Sequence, residues 1–341
     1  MQVLEHPHFV EARERLRAIL ANPTTGRMVF LIGPTGVGKT TLRHAVFQNI
    51  VGSPLHWGQG RIPLIEVYAG LPSNAYFTSK GFAQTLVEEL RYPSLRWMCG
   101  GAHREAVEVF EQDVEKTRHL LDAQDLSRMP ETRLWTNFAS VVRARSVKTI
   151  SVEQAASLCV VRRNKQPADH ILHLMGLAEQ LELNFVLTGV PDMSQLWMSR
   201  PEIRRRAHVV WMRPYDIHDE DDRKHFVSLL RSIESDYTFE RGVLRALIEE
   251  MFLQTAGIVG ELIRLADDSL MRAQQGGRSE IAASDIRASF HNDAAGRRMW
   301  QDVQIFEELR APGSPAYLRK LIQPSAPKSR KDHGDAARNA P

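Results

Sequence analysis

One short stretch decides the fold: Gly33-Pro34-Thr35-Gly36-Val37-Gly38-Lys39-Thr40. It matches G-x-x-x-x-G-K-[ST], a phosphate-binding loop that is specific only between a buried strand and a helix. Residues 28–32 are continuously apolar and predict that strand, and residues 40–50 predict the helix. Both conditions are met, so a chance glycine-rich turn is the poorer explanation.

Each position in this loop has a physical task. The glycines let backbone N–H groups turn towards the β-phosphate, and the N-terminus of the following helix adds its positive dipole. Lys39 would reach the β- and γ-phosphates, and the Thr40 hydroxyl would bind Mg²⁺. Together with the neighbouring Thr41, the loop predicts ATP and Mg²⁺ as cofactors.

Further apolar segments predict strands at residues 62–67, 147–152 and 185–188, with helical patterns between them. This alternation indicates an α/β fold with a parallel sheet flanked by helices. After Pro214 the apolar spacing is helical, which predicts a small helical lid domain.

We therefore divide the chain into five parts. They are an N-terminal helix within 1–25, an α/β nucleotide-binding core at 26–213 with a charged helical excursion at about 91–133, a helical lid domain at 214–290, a C-terminal extension at 291–323, and a tail at 324–341 whose composition predicts disorder.

Composition excludes several classes of protein. The chain has 341 residues, of which 43% are hydrophobic and 25% charged, and a formal net charge of +3. Its two cysteines, Cys99 and Cys159, are far apart and support neither a disulfide framework nor a zinc site. No apolar run approaches the roughly 18 residues of a membrane span. We expect a cytoplasmic protein that does not enter the membrane.

A phosphate loop alone does not name a reaction, because kinases, GTPases and motor-like ATPases share it. Here the loop stands in a series of segments whose order resembles the AAA+ ATPase regulators of DNA transposition of the TniB and TnsC type, including those of CRISPR-associated transposons. These segments are residues 6–9, 23–27, 32–42, 71–73, 188–191, 201–206 and 257–265. The order of the segments carries the resemblance.

The magnesium motif of that family, Asp-Glu-Ala-Gln-x-Leu after an apolar strand, aligns best with residues 153–158. In this frame Glu153 supports Mg²⁺ and Gln154 takes the place of the catalytic glutamate. A glutamine amide can orient water but cannot take its proton, so hydrolysis would be slow. A shifted frame places Val152 at the metal position and makes Glu153 the base. A third interpretation has Glu153 merely begin a solvated helix.

The resemblance also assigns residues that would respond to the γ-phosphate. Thr188 ends an apolar strand and would act as a sensor, although threonine is common at strand ends. Arg204, Arg205 and Arg206 would supply an arginine finger to a neighbouring subunit, with Arg206 the first choice. A solvated charged face is the alternative interpretation of this run. We expect no nucleotide contact from Arg264.

No motif that reads DNA sequence is visible. Basic residues flank the predicted magnesium strand and would contact phosphates without reading bases, or would simply be exposed charge. They are Arg143, Arg145 and Lys148 before it and Arg162, Arg163 and Lys165 after it.

The resemblance implies an ATPase that assembles with ATP as a ring or helical filament on double-stranded DNA. It would link a TniQ-type target selector to a DDE transposase. Two alternatives remain open, a non-hydrolysing ATP-bound scaffold of the same fold and a P-loop phosphotransferase.

Overall fold

The computed structural model describes residues 5–21, 26–70, 76–98, 106–112, 125–162, 166–315 and 319. A five-stranded parallel sheet with the order β2-β3-β4-β1-β5 forms the core. The strands are β1 (Met28–Ile32), β2 (Leu64–Tyr68), β3 (Thr149–Glu153), β4 (Asn184–Gly189) and β5 (Ala207–Trp211). All residues of β1 and β4 are buried, as expected for central strands covered on both faces.

Helices flank this sheet and follow it. They are α1 (Pro7–Ala21), α2 (Lys39–Val51), α3 (Ser79–Arg91), α4 (Glu131–Arg145), α5 (Pro167–Leu181), α6 (Gln195–Met198), α7 (Pro201–Arg206), α8 (Glu220–Ile233), α9 (Val243–Thr255), α10 (Val259–Gln275), α11 (Ala283–Ala288) and α12 (Asp293–Arg310). A further helical stretch lies at residues 106–112, within the predicted excursion. Among the described helices, none is long and apolar enough to cross a lipid bilayer.

The strand register gathers the carboxyl ends of the strands at one edge. Tyr68 of β2 pairs with Glu153 of β3, and Leu31 of β1 pairs with Thr188 of β4. The glycine-rich loop leaves β1 at this edge, where ligands bind in open α/β sheets.

A second hydrophobic cluster begins at Tyr215 and is formed mainly by α8, α9 and α10. Helix α12 contacts both clusters. Its Phe306 packs against Trp211 of β5 with ring centroids 5.7 Å apart, and its Trp300 Nε1 donates to the Leu253 carbonyl at 2.8 Å. The segment after the lid therefore returns to the core.

The α/β prediction is confirmed, and four of the predicted strands correspond to β1–β4. Strand β5 was not predicted. It follows α7 without an intervening turn signal, and most of its residues are only partly buried because β5 is the outermost strand beside β1. The predicted tail at 324–341, the segment 71–73 and Cys99 lie outside the described residues.

Candidate nucleotide-binding site

The loop between β1 and α2 adopts a backbone that requires glycine at two positions. Gly36 and Gly38 have φ values of +87° and +94°, in the left-handed region that favours glycine. At Gly33 the constraint is space, because a Cβ there would lie 2.3 Å from the Met212 carbonyl oxygen. The sequence spacing thus produces the compact loop that the motif predicts.

Lys39 begins α2 and turns back over the loop. Its Nζ donates to the carbonyl oxygens of Gly33 at 2.9 Å and Pro34 at 2.8 Å. Burial lowers the pKa of the Lys39 ammonium to about 8, and the Glu153 carboxylate opposes this effect. The ammonium is therefore held at the loop with part of its hydration shell removed. The oxygens of a bound polyphosphate would take the place of that water.

Thr40 and Glu153 meet below the loop. The Thr40 Oγ1 donates to Glu153 Oε1 at 3.0 Å. Glu153 is the last residue of β3 and is followed by a 3₁₀ turn at Ala155–Cys159, whereas Val152 is fully buried in the core. This geometry places a hydroxyl and a carboxylate together, and both are oxygen donors of the kind that Mg²⁺ prefers.

Gln154 adopts a left-handed backbone conformation with φ of +52°. The hydroxyl of Tyr68, at the end of β2, donates to its side-chain Oε1. The amide is thus held at the mouth of the site, beside Glu153.

Arg43 is a site residue that sequence reasoning missed. Its side chain is fully buried, and Nη2 forms ion pairs with Glu153 and, at 2.8 Å, with Glu66 of β2. Nη1 donates to the Thr188 Oγ1 at 3.5 Å. One signal was available: Arg43 lies one turn before Phe47 on the buried face of α2, where a cation requires partners.

Thr188 lies at the same edge of the sheet and is 1% exposed. It borders the same cavity as Gln154 and Lys39. In this structure its hydroxyl accepts from Arg43, so the residue predicted as a sensor is connected to Glu153 through one guanidinium.

A cavity of about 750 Å³ opens above these groups. The phosphate loop lines one side, and an apolar side is formed by His6, Phe9, Val259 and Ile263. Its volume is in the range of known small-molecule sites. His6 is buried, and its Nδ1 has no hydrogen-bond partner among the described residues. Burial lowers the pKa of His6 to about 4, with a smaller contribution from His8.

The lid contacts the loop directly. The Gly260 N–H at the start of α10 donates to the Gly36 carbonyl at 2.9 Å, and a Cβ at Gly260 would lie 2.3 Å from that oxygen. Further along α10, Arg264 is engaged by Glu261, Asp268 and His291 at 2.6–2.8 Å. Arg264 does not border the cavity.

The three arginines of α7 differ in their contacts. Arg206 pairs with Glu179 at 2.6 Å. Arg204 and Arg205 are exposed and form no side-chain ion pair with another described residue. Within this chain, Arg206 is therefore held in place while Arg204 and Arg205 remain available.

The described residues among the predicted DNA contacts lie on different elements of the chain. Arg143 and Arg145 lie in the last turn of α4 and Lys148 directly precedes β3, whereas Arg162 follows the 3₁₀ turn after β3. Arg163 and Lys165 lie outside the described residues.

Most of the described members also have partners. Arg145 donates to the carbonyls of Gly60 and Arg91 at 3.3 and 3.2 Å. Lys148 lies 3.6 Å from Glu182, and the Arg162 guanidinium stacks over the Tyr76 ring at 4.3 Å. Arg145 therefore has a structural role, whereas Arg143 is exposed and forms no side-chain ion pair with another described residue.

No protein-family model matches the chain, and no curated protein matches it significantly. Solved structures do match. The ORC2 protein of Aeropyrum pernix, in its ADPNP–ADP complexes, has a TM-score of 0.52 at 12% identity, over 83% of this chain and 66% of that chain. The Walker-type ATPase PABY2304 of Pyrococcus abyssi has a TM-score of 0.51 at 16% identity, over 88% and 74%.

At such identities the likeness shows the fold alone, and this chain spans about two thirds of the ORC2 chain. The fold is the AAA+ P-loop fold, with a parallel sheet followed by a helical lid, as the sequence predicts.

Proposed function

We propose that this chain binds ATP with Mg²⁺ and acts as a nucleotide-dependent AAA+ switch with slow hydrolysis. The observation that carries the proposal is the Thr40–Glu153 hydrogen bond directly beneath a glycine-rich loop that has the required positive φ angles. A phosphate cradle and a pair of oxygen donors for a hard cation therefore lie side by side.

The loop residues have distinct roles in this proposal. Backbone N–H groups of residues 35–40 and the start of α2 bind the phosphates, and Lys39 supplies the cation. Thr40 and Glu153 hold Mg²⁺, which when bound neutralises charge on the β- and γ-phosphate oxygens. The apolar side of the cavity, with Phe9 and Ile263, accepts the base, and the free Nδ1 of His6 offers it a polar contact.

Slow turnover follows from the chemistry of residue 154. A general base must accept a proton from water, and the neutral amide of Gln154 cannot do so. Gln154 can still orient water, since Tyr68 holds its side chain. A persistent ATP-bound state suits a switch. A scaffold that never hydrolyses ATP is the second candidate, and the same glutamine favours it.

Assembly would bring an arginine from α7 to the ATP of a neighbouring subunit. Arg206 could contact the ATP of a neighbouring subunit only after its ion pair with Glu179 breaks. Arg204 and Arg205 therefore remain candidates for the arginine finger as well. A guanidinium suits the developing charge on the transferred phosphoryl group.

The resemblance to the TniB and TnsC regulators extends this proposal to transposition. In that case ATP-bound copies assemble on double-stranded DNA and connect a TniQ-type selector with a DDE transposase. Support for this step comes from the order of the sequence segments. Arg143, which is exposed, would add a phosphate contact.

Sedimentation velocity tests the switch. The chain is run alone, with a DNA duplex, with a non-hydrolysable ATP analogue, and with both. We expect large assemblies only when the duplex and the analogue are both present. A chain that stays monomeric in all four conditions contradicts the assembly step and favours the phosphotransferase alternative.

A further inference from the structure

Arg43 occupies a position that the roles assigned above do not explain. Its guanidinium is fully buried and contacts side chains of three neighbouring strands, Glu66 of β2, Glu153 of β3 and Thr188 of β4. Burying a charge is costly unless it is closely paired. The paired groups here belong to the proposed magnesium and sensor positions.

The contacts to Glu153 are divided between its two oxygens. Oε1 receives both the Thr40 hydroxyl and Arg43 Nη2. Oε2 has no hydrogen bond to another described residue. Two donors on one oxygen fix the orientation of the carboxylate and leave the second oxygen available.

Glu66 anchors the other side of the guanidinium. Its Oε1 lies 2.8 Å from Arg43 Nη2 and 3.2 Å from His44 Nε2. Because His44 also contacts Glu66, the carboxylate that pairs with Arg43 is itself held in place. The guanidinium therefore has a defined position even though the arginine side chain that carries it is long and flexible.

We propose that Arg43 is a positioning residue for the magnesium-binding carboxylate. It holds Glu153 by Oε1 so that Oε2 remains free for the hydration shell of the metal, and it links that carboxylate to Thr188. This inference rests on the proposed binding of ATP and Mg²⁺. Outer partners of this kind commonly change metal affinity about 10- to 100-fold when removed.

A purely structural ion pair is the alternative. In that case loss of Arg43 lowers the stability of the core and changes nucleotide binding with and without metal in parallel. The two explanations therefore differ in the dependence of ATP affinity on Mg²⁺.

The experiment measures binding of a fluorescent ATP analogue in EDTA and during titration with Mg²⁺. For Arg43→Met we expect a rise of about tenfold in the Mg²⁺ concentration that gives half of the Mg²⁺-dependent change in analogue binding. The affinity for the analogue in EDTA should stay within about twofold of wild type. Arg43→Lys retains the charge and should recover part of the loss. Arg278→Met, which removes the Arg278–Asp285 ion pair of the lid, is the matched control.

A second variant addresses folding. Arg43→Met leaves Glu66 and Glu153 without their shared cation, whereas Arg43→Met combined with Glu66→Gln removes one of the two charges. The combined variant should melt at a higher temperature than Arg43→Met and still need the raised Mg²⁺ concentration. Recovery of wild-type Mg²⁺ dependence in the combined variant would overturn the proposal.

An unchanged Mg²⁺ midpoint in folded Arg43→Met overturns the inference and leaves the proposed function intact. A wild-type chain that binds no ATP, or whose affinity does not respond to Mg²⁺, overturns both. The two failures are therefore distinguishable from the wild-type titration alone.

Discussion

The Thr40 hydroxyl donates a 3.0 Å hydrogen bond to Glu153 across 113 positions of sequence. The two residues belong to separate elements, because Thr40 lies in the first turn of α2, after β1 and the glycine-rich loop, and Glu153 is the last residue of β3. Strand β4 lies between β1 and β3 in the sheet. Their contact depends on the parallel register, which brings the strand ends to one edge. It connects the phosphate loop to the proposed metal position.

Removal of that hydroxyl should weaken the metal-dependent part of nucleotide binding. For Thr40→Val we expect ATP affinity in Mg²⁺ to fall about tenfold, since the proposed metal ligand and its bond to Glu153 are lost, with little change in EDTA. Calorimetric titration in both buffers checks this. Thr136→Val, on the exposed face of α4, is the control and should bind as wild type does.

Introduction of a carboxylate at position 154 should accelerate hydrolysis. Gln154→Glu supplies a group that can take a proton from water, and we expect steady-state turnover to rise about 10- to 100-fold. Gln304→Glu on α12 is the matched control. Fast turnover in the wild-type chain that disappears in Gln154→Ala would contradict the assignment.

Contact between lid and loop should contribute to nucleotide affinity. Gly260→Ala places a Cβ 2.3 Å from the Gly36 carbonyl oxygen, so α10 must move away from the loop. We expect ATP affinity to fall about tenfold, in line with the cost of overpacking. Gly296→Ala in α12 meets no atom within 4 Å and should leave affinity unchanged. Equal affinities of the two variants would show that the lid contact is dispensable.

Acid should destabilise the fold through His6. Burial lowers its folded-state pKa to about 4 from 6.5, so the folded state disfavours the protonated ring. Its contribution to stability is complete above pH 6.5 and is lost as pH falls towards 4. We expect the free energy of unfolding to drop by about 2 kcal/mol between about pH 7 and pH 5 because of this group.

Urea denaturation at both pH values measures that change. In His6→Phe the free energy of unfolding should no longer show the part of the drop that His6 causes between the two pH values. In His56→Gln, at an exposed position, the full drop should remain. An identical pH dependence in His6→Phe and wild type would contradict the role of His6.

Sequence reasoning worked where one segment contains its own signal. The phosphate loop has fixed spacing, and β1 is a continuous apolar run, so both could be recognised locally. Arg43 could not be assigned, because its partners Glu66, Glu153 and Thr188 come from three separate strands. A local motif indicates which groups a loop can bind, whereas the fold determines which side chains from distant segments contact that loop.

The same limit explains the basic residues. Arg145 and Arg162 find their partners in distant segments, at Gly60, Arg91 and Tyr76, so the neighbouring sequence does not reveal these contacts. The Arg206–Glu179 ion pair, which joins α7 to α5, could likewise not be predicted from the sequence, and the assignment of an arginine finger remains a prediction. Strand β5 was missed because His208 interrupts its short apolar run and no turn signal separates it from α7.

The central claim is that the loop at residues 33–40 binds the triphosphate of ATP, and equilibrium binding of ATP to Lys39→Ala tests it most directly. Loss of charge-assisted hydrogen bonds predicts affinity lower by about 100-fold, with Lys224→Ala, an exposed lysine of α8, binding as wild type does. Equal ATP affinity in folded Lys39→Ala and wild type would contradict the account.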